Sequence, residues 1–277
     1  SMVGVIGAIA VDLLTFLVAV MVVLVIHIPR PDVTEAGQQA GGSILKELLG
    51  GLQFLLRHPP LMILTLHLAL MNFLIFGHSP LAVPYILARS GNDEVALGLI
   101  LSMSSVGAVI GGLLMTIWGG TRLRIHTIMP GLVAIGLCIM FIGMARTPLL
   151  VGVAFAMMSA CFPIIVTPLL SLYQVKVAPD LQGRVFGFRT QCELILTPFA
   201  YFFGGIIVDK VFEPAVNGPK WRLFAPLVGN RVGSGIGLIL FAAGLVVVLS
   251  SMLIYALPTV RQMERILPDY APSMEIA

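Results

Sequence analysis

Residues 234–257, SGIGLILFAAGLVVVLSSMLIYAL, form an apolar stretch without a single charged side chain. A helix needs about 20 such residues to cross the hydrocarbon core of a membrane. Six further stretches of this character precede it, so the predicted spans cover residues 3–26, 61–87, 95–118, 127–145, 149–175, 191–208 and 234–257. The predicted fold class is all-α: a polytopic transmembrane helical bundle of about seven spans.

The composition of the whole chain agrees with membrane insertion. Of its 277 residues, 58% are hydrophobic and 10% are charged, whereas a soluble domain has roughly 45–50% apolar and about 25% charged residues. Membrane lipid is therefore the expected surrounding, and a net charge of +3 gives no reason to expect a nucleic-acid partner. The sequence contains no G-x-x-x-x-G-K-[ST], H-E-x-x-H or G-x-S-x-G pattern. We accordingly predict no enzyme activity, no cofactor and no metal site.

A polar connection of residues 28–60 separates the first span from the second. Within it, apolar residues recur at helical spacing over residues 43–58, whereas Lys46, Glu47, Gln53 and Arg57 fall elsewhere. This pattern predicts an amphipathic helix at the membrane interface. The chain then enters the membrane at Pro59.

The distribution of basic residues predicts the orientation of the bundle. One side of the predicted spans carries the larger set: Arg30, Lys46, Arg57, Arg122, Arg124, Lys176, Arg184, Arg189, Arg261 and Arg265. The other side carries Arg89, Arg146, Lys210, Lys220, Arg222 and Arg231. We expect the first side, and with it the C-terminus, to be cytoplasmic, although the connection 209–233 places four basic residues outside.

Several of the predicted spans contain proline or closely spaced glycines. The prolines within them, which remove backbone hydrogen bonds and favour kinks, are Pro80, Pro84, Pro163, Pro168 and Pro198. Such kinks suit a protein that rocks or opens a cavity, although proline is also common in static membrane helices. The pattern Gly107-x-x-x-Gly111-Gly112 predicts a close approach between two helices.

Three segments resemble one transporter family. Residues 173–187, YQVKVAPDLQGRVFG, resemble a loop in the C-terminal half of major facilitator superfamily transporters, and they look most like the macrolide-efflux and enterobactin-exporter branch. Residues 51–59, GLQFLLRHP, are similar to that branch's approach to its seventh helix. Residues 111–124, GGLLMTIWGGTRLR, lie where the family repeats a G-x-x-x-D-R-x-G-R-[RK] loop.

This resemblance implies a domain organisation. Residues 1–27 become the last helix of an N-terminal bundle, 28–60 a cytoplasmic linker with its interfacial helix, 61–257 a six-helix C-terminal bundle and 258–277 a cytoplasmic tail. The implied partner is the N-terminal half of the same transporter. The chain opens directly inside an apolar run, as expected for a piece of a longer protein.

The implied function is secondary active transport in the plasma (inner) membrane. The resemblance favours proton-coupled efflux of amphipathic small molecules by alternating access. One departure from the family pattern favours an alternative, because Thr116 and Ile117 occupy the positions of the family's loop acid and its following arginine. The alternative is a non-transporting anchor or scaffold subunit of a biosynthetic complex.

The resemblance also implies residues of the cytoplasmic gate loops: Gly112, Gly119, Arg122, Arg124, Pro179, Asp180, Gly183, Arg184 and Arg189. Asp180 suits the first turn of a helix that begins near Pro179. Four residues separate it from Arg184, so the two side chains form either a local ion pair that shapes the loop or a gate latch that moves.

Ionisable and polar groups within the spans are the candidates for the substrate and proton pathway, because their desolvation is costly. Glu193 opens the sixth predicted span and pairs with Arg189 at i,i+4 spacing. It is either an interfacial salt bridge or a proton-exchanging carboxylate. Asp12 in the first span either packs or takes part in coupling.

The second span contributes His67, Asn72 and His78, which either contact substrate or protons or form hydrogen bonds with neighbouring helices. Tyr173, Gln174 and Gln191 frame the predicted cytoplasmic mouth. A soft apolar lining suits varied hydrophobic ligands and equally suits core packing. Its predicted members are Met71, Phe73, Phe76, Met103, Met157, Met158 and Phe162.

Overall fold

The computed structural model describes residues 4–26, 44–77 and 79–270, and this part of the chain contains no β-strand. The all-α prediction is confirmed. The chain divides into two compact units, Ser1–Thr34 and Glu35–Ala277. The first unit contains helix α1 (Gly4–Val25).

The second unit contains the remaining long helices. In chain order they are α2 (Ile44–Arg57), α3 (Pro59–Phe76), α4 (Ser79–Ser90), α5 (Glu94–Trp118), α6 (Ile125–Met144), α7 (Pro148–Lys176), α8 (Pro179–Leu194), α9 (Thr197–Ile207) and α10 (Ser234–Ala256). A π-helical turn, Val208–Phe212, follows α9. The described residues also contain five short helical turns: Glu213–Ala215, Pro219–Leu223, Ala225–Val228, Pro258–Arg261 and Met263–Ile266.

Within the described part of the chain, six helical runs are long and apolar enough to cross a membrane: Pro59–Ser90, Glu94–Trp118, Ile125–Met144, Pro148–Lys176, Pro179–Ala215 and Ser234–Ala256. They match six of the seven predicted spans, numbered two to seven. The first predicted span corresponds to α1, of which the stretch Ile9–Val25 is a shorter apolar helix.

Glycines set the closest helix contacts of the bundle. Gly107 and Gly111 on α5 are buried against α7, where a Cβ at either position would overlap the backbone carbonyl of Ala156 or Ala160. Gly112, by contrast, faces open space. The predicted close approach is therefore confirmed for the first two glycines. Comparable glycine contacts join α6 to α10.

The predicted loop 173–187 is mostly helical, which corrects the sequence interpretation. Helix α7 continues to Lys176 and α8 begins at Pro179, so only Val177 and Ala178 connect them. Proline suits the first turn of a helix because its missing N–H has no partner to lose there. Asp180 lies in this first turn, as predicted. Glu193 consequently lies near the end of α8 instead of opening a span.

The predicted amphipathic helix is present as α2, and part of its apolar surface packs on protein. Leu55 is fully buried, and Gly51 lies so close to α8 that a Cβ would overlap the backbone carbonyl of Arg184. The linker helix thus rests against the N-terminal part of span six.

The prolines occupy two kinds of position. Pro80 and Pro198 lie in the first turns of α4 and α9, at the points where spans two and six resume as new helices. Pro84 lies inside α4, and Pro163 and Pro168 lie inside α7 without ending it.

At the end of the bundle that is predicted to face outward, two basic side chains bind the long connection between α9 and α10. Arg89 Nη2 donates to the Val228 carbonyl over 2.8 Å, and Arg146 Nη2 donates to the Pro226 carbonyl over 2.8 Å. These bonds give the two arginines a structural role. They account for part of the positive charge on the side predicted to face outward.

Candidate functional site

Arg189 and Glu193 form a largely buried charged pair on α8, in the second unit. Arg189 Nε donates to Glu193 Oε1 over 2.6 Å, and only 15% and 17% of the two side chains is exposed. The i,i+4 spacing on α8 places both groups on one helix face. Arg189 was predicted among the cytoplasmic gate loops and Glu193 in the substrate and proton pathway, and both residues belong to the long helical run Pro179–Ala215.

Asn72 faces the same cavity as this pair. The cavity measures about 100 Å³ and is lined by Asn72, Arg189 and Glu193 among apolar side chains of α3, α6 and α7. Among the described residues, none donates a hydrogen bond to the buried Asn72 Oδ1. A cavity of this size admits water but not a drug-sized ligand, which needs about 300 Å³ or more.

Tyr173 connects the charged pair to span two. Its side chain is fully buried, and the centre of its ring lies 4.9 Å from the Arg189 guanidinium carbon. Its hydroxyl shares a 2.8 Å hydrogen bond with the buried Thr65 on α3. The spans two, five and six thus meet in one polar chain: Thr65, Tyr173, Arg189 and Glu193.

Two of the candidates in span two, His67 and Asn72, have different surroundings. His67 is buried, and its Nε2 lies 3.2 Å from Ser251 Oγ on α10. His67 therefore contacts a neighbouring helix, one of its two predicted alternatives, whereas Asn72 lines the cavity of the charged pair. His78 lies outside the described residues.

The other described pathway candidates are exposed side chains. Gln174 and Gln191 are exposed, and the Gln174 carbonyl accepts a hydrogen bond from Gln182 Nε2 over 2.9 Å. Asp12 is exposed in α1, where its carbonyl accepts a hydrogen bond from the Thr15 hydroxyl over 2.8 Å.

The C-terminal tail binds the end of the bundle that carries the predicted gate loops. Arg124 Nη1 lies 3.3 Å from Glu264 Oε1, while Glu264 Oε2 accepts a hydrogen bond from the Ile125 N–H over 2.9 Å. Lys176 Nζ lies 2.7 Å from Asp269 Oδ1 and also donates to the Leu267 carbonyl. We call these contacts of Arg124 and Lys176 with the tail the tail clasp.

Sequence reasoning missed the tail clasp, although it singled out Arg124. The signal that could have found it is the position of Glu264 and Asp269, two of the three acids in the tail of residues 258–277. The clasp supplies charge pairs at the start of α6 and the end of α7. The Thr116 hydroxyl donates to the Gly112 carbonyl of its own helix over 2.8 Å.

The remaining predicted gate residues take structural or exposed positions. Gly119 ends α5 in the left-handed conformation with φ 71°, and its N–H donates to Met115 O over 2.8 Å. Arg122 and Gly183 are exposed. Arg184 contributes its carbonyl to the contact of α8 with Gly51.

A larger apolar cavity of about 460 Å³ is lined by other residues of α3. Phe73 and Leu81 line it together with residues of α9, including Phe199 and Phe203, and residues of α10. Of the predicted soft lining, Phe73 lies here, whereas Met71 and Phe162 line the smaller polar cavity. The side chain of Phe76 lies outside the described part of the structure.

The described residues form six membrane-length apolar helices, which define a multi-pass membrane protein. The model of one family, the Major Facilitator Superfamily, matches residues 2–200, and the chain belongs to this family. Its members are membrane transporters. No curated protein and no solved structure matches the chain.

Proposed function

We propose that the chain forms the C-terminal bundle of a proton-coupled exporter of amphipathic small molecules in the plasma membrane. It would work with the N-terminal half of the same transporter, to which α1 belongs, and both bundles would rock around a central site. The C-terminus is then cytoplasmic. Efflux follows from the resemblance of residues 173–187 to the macrolide-efflux branch.

The observation that carries the proposal is the position of Glu193. Glu193 and Asn72 line one cavity between helical runs long enough to cross a membrane, and only 17% of the Glu193 side chain is exposed. An isolated charge there is costly, and Arg189 offsets this cost only while the two side chains remain paired.

The proton cycle follows from separating this pair. When Arg189 moves away, Glu193 takes up one proton from the outer side and becomes neutral. When Arg189 returns in the state open to the cytoplasm, the carboxylate releases the proton there and one substrate molecule binds, which leaves on the outer side in the next half of the cycle. The apolar cavity beside α3 supports an amphipathic substrate, because 460 Å³ falls within the size range of ligand pockets.

Ethidium, an amphipathic cation, is the probe for this proposal. The purified transporter in liposomes should extrude ethidium against its gradient when an inward proton gradient is imposed. Glu193→Gln keeps the shape of the side chain and removes its titration, so it should abolish gradient-driven extrusion and retain downhill exchange. Extrusion by Glu193→Gln at the parent rate, or no ethidium movement by the parent protein, would contradict the proposal.

A further inference from the structure

The ring of Tyr173 contacts Arg189, and its hydroxyl bonds to Thr65, whereas the Glu193 carboxylate accepts its hydrogen bond from Arg189. We infer that Tyr173 is a positioning residue: its ring fixes the Arg189 guanidinium beside Glu193, and its hydroxyl ties this arrangement to Thr65 on α3. The inference rests on the proposed function of Glu193 as the coupling acid.

The ring of Tyr173 is well placed to hold a cation. A distance of 4.9 Å between the ring centre and the guanidinium carbon lies within the roughly 6 Å over which such contacts are attractive. Because Tyr173 is fully buried and Arg189 is largely buried, little water screens the contact. Arg189 is thereby held from two directions, by the ring on α7 and by the carboxylate on its own helix.

The hydroxyl of Tyr173 fixes the ring itself. Thr65 is fully buried, so the 2.8 Å bond between the two hydroxyl groups has no competing contact with bulk water. A movement of α3 relative to α7 changes the position of this bond and of the ring attached to it. Tyr173 thus transmits a shift of span two to the Arg189–Glu193 pair on span six.

The test separates the ring of Tyr173 from its hydroxyl. Tyr173→Leu removes the cation contact, and Tyr173→Phe retains it. The measured quantity is the ratio of gradient-driven ethidium extrusion to downhill ethidium exchange in liposomes. This ratio should fall on the order of tenfold in Tyr173→Leu, the effect of losing a partly desolvated cation–π contact, and Tyr173→Phe should recover most of it.

Tyr85 is a matched control within the same chain. It is also fully buried, its hydroxyl donates to the Ile142 carbonyl over 2.5 Å, and Arg89 lies 5.3 Å from its ring centre. Tyr85→Leu should lower the yield of folded protein and leave the ratio unchanged. Thr65→Val, which removes only the hydroxyl partner, should lower the ratio less than Tyr173→Leu and in the same direction.

The outcomes distinguish this inference from the proposed function. An unchanged ratio in Tyr173→Leu, with a lowered ratio in Glu193→Gln, overturns the positioning role alone. An equal fall in Tyr85→Leu and Tyr173→Leu also overturns it, because the effect is then general to buried tyrosines. If Tyr173→Leu yields no folded protein, an unchanged ratio in Thr65→Val overturns the role. An unchanged ratio in Glu193→Gln overturns the proposed function itself.

Discussion

Lys176 Nζ and Asp269 Oδ1 lie 2.7 Å apart, and this contact joins the last residue of α7 to the C-terminal tail. Only 2% of the Lys176 side chain is exposed, compared with 64% of the Asp269 side chain. The buried partner therefore depends on the tail for its charge compensation, since an uncompensated buried charge is strongly destabilising. The backbone carbonyls of Glu264 and Leu267 add to this compensation.

Removing Lys176 should release the tail from the bundle. In Lys176→Met the carbonyl and carboxylate acceptors of the tail lose their common donor, so we expect trypsin to cleave after Arg265 on the order of tenfold faster, given about 1.5–3 kcal/mol for a charged hydrogen bond. Arg122→Met, which changes an exposed basic residue at the same end, is the control. Equal cleavage rates after Arg265 in the parent protein and in Lys176→Met would show that the clasp does not hold the tail.

A methyl group at Gly111 should disrupt the contact between α5 and α7. The added Cβ would overlap the backbone of Ala160, and overpacking of this kind costs about 1–3 kcal/mol. We expect a lower melting temperature for Gly111→Ala in detergent. The measurement is the amount of monodisperse protein that remains on gel filtration after heating.

Gly112 provides the control for this substitution. It is the next residue along α5, and a Cβ there meets nothing within 4 Å. Gly112→Ala should retain the parent melting temperature, because alanine favours a helix more than glycine does. A similar loss in both variants would mean that helix flexibility, and not the contact with Ala160, determines the stability of this region.

The orientation of the chain can be tested by labelling at two exposed positions. A cysteine at Asn217, in the connection between α9 and α10, should react with an impermeant maleimide added to intact cells. A cysteine at Gln262, in the tail, should react only after the membrane is permeabilised. Both variants require a background without Cys138, Cys161 and Cys192. Labelling of Gln262→Cys in intact cells would show that the orientation is opposite to the proposed one.

His67 should not carry the coupled proton. It is buried, and its Nε2 is bonded to Ser251 between α3 and α10, away from the Arg189–Glu193 cavity. His67→Gln, which keeps a hydrogen-bonding side chain, should retain gradient-driven ethidium extrusion and lose about 1 kcal/mol of stability at most. Loss of extrusion with intact downhill exchange would assign the coupling role to His67 instead.

The apolar runs were sufficient to predict the spans, because membrane helices satisfy their backbone hydrogen bonds internally and require a continuous apolar sequence. The bounds of α8 were not predictable in this way. Its first half is polar, and residues such as Asp180 and Gln182 are typical of a loop in a hydropathy profile. The contact of Gly51 with Arg184 shows what supports it there: α2 packs against this polar half.

The Arg189–Glu193 pair was predictable from i,i+4 spacing, since both residues lie on one helix. The contributions of Thr65 and Tyr173 were not, because their contacts join residues far apart in sequence and depend on how three helices pack. The same reason explains why the sequence did not separate His67 from Asn72. Both lie on α3. The position of α10 brings Ser251 to His67, and the position of α8 places Asn72 at the cavity of the charged pair.

The most direct test of the central claim records ethidium and proton fluxes in the same liposomes, with a pH-sensitive dye enclosed. The parent protein should move protons against ethidium at a fixed ratio. Glu193→Gln should move ethidium down its gradient without any counter-movement of protons, because the variant lacks the carboxylate that we propose carries them. Proton counter-movement at the parent ratio in Glu193→Gln would contradict the account.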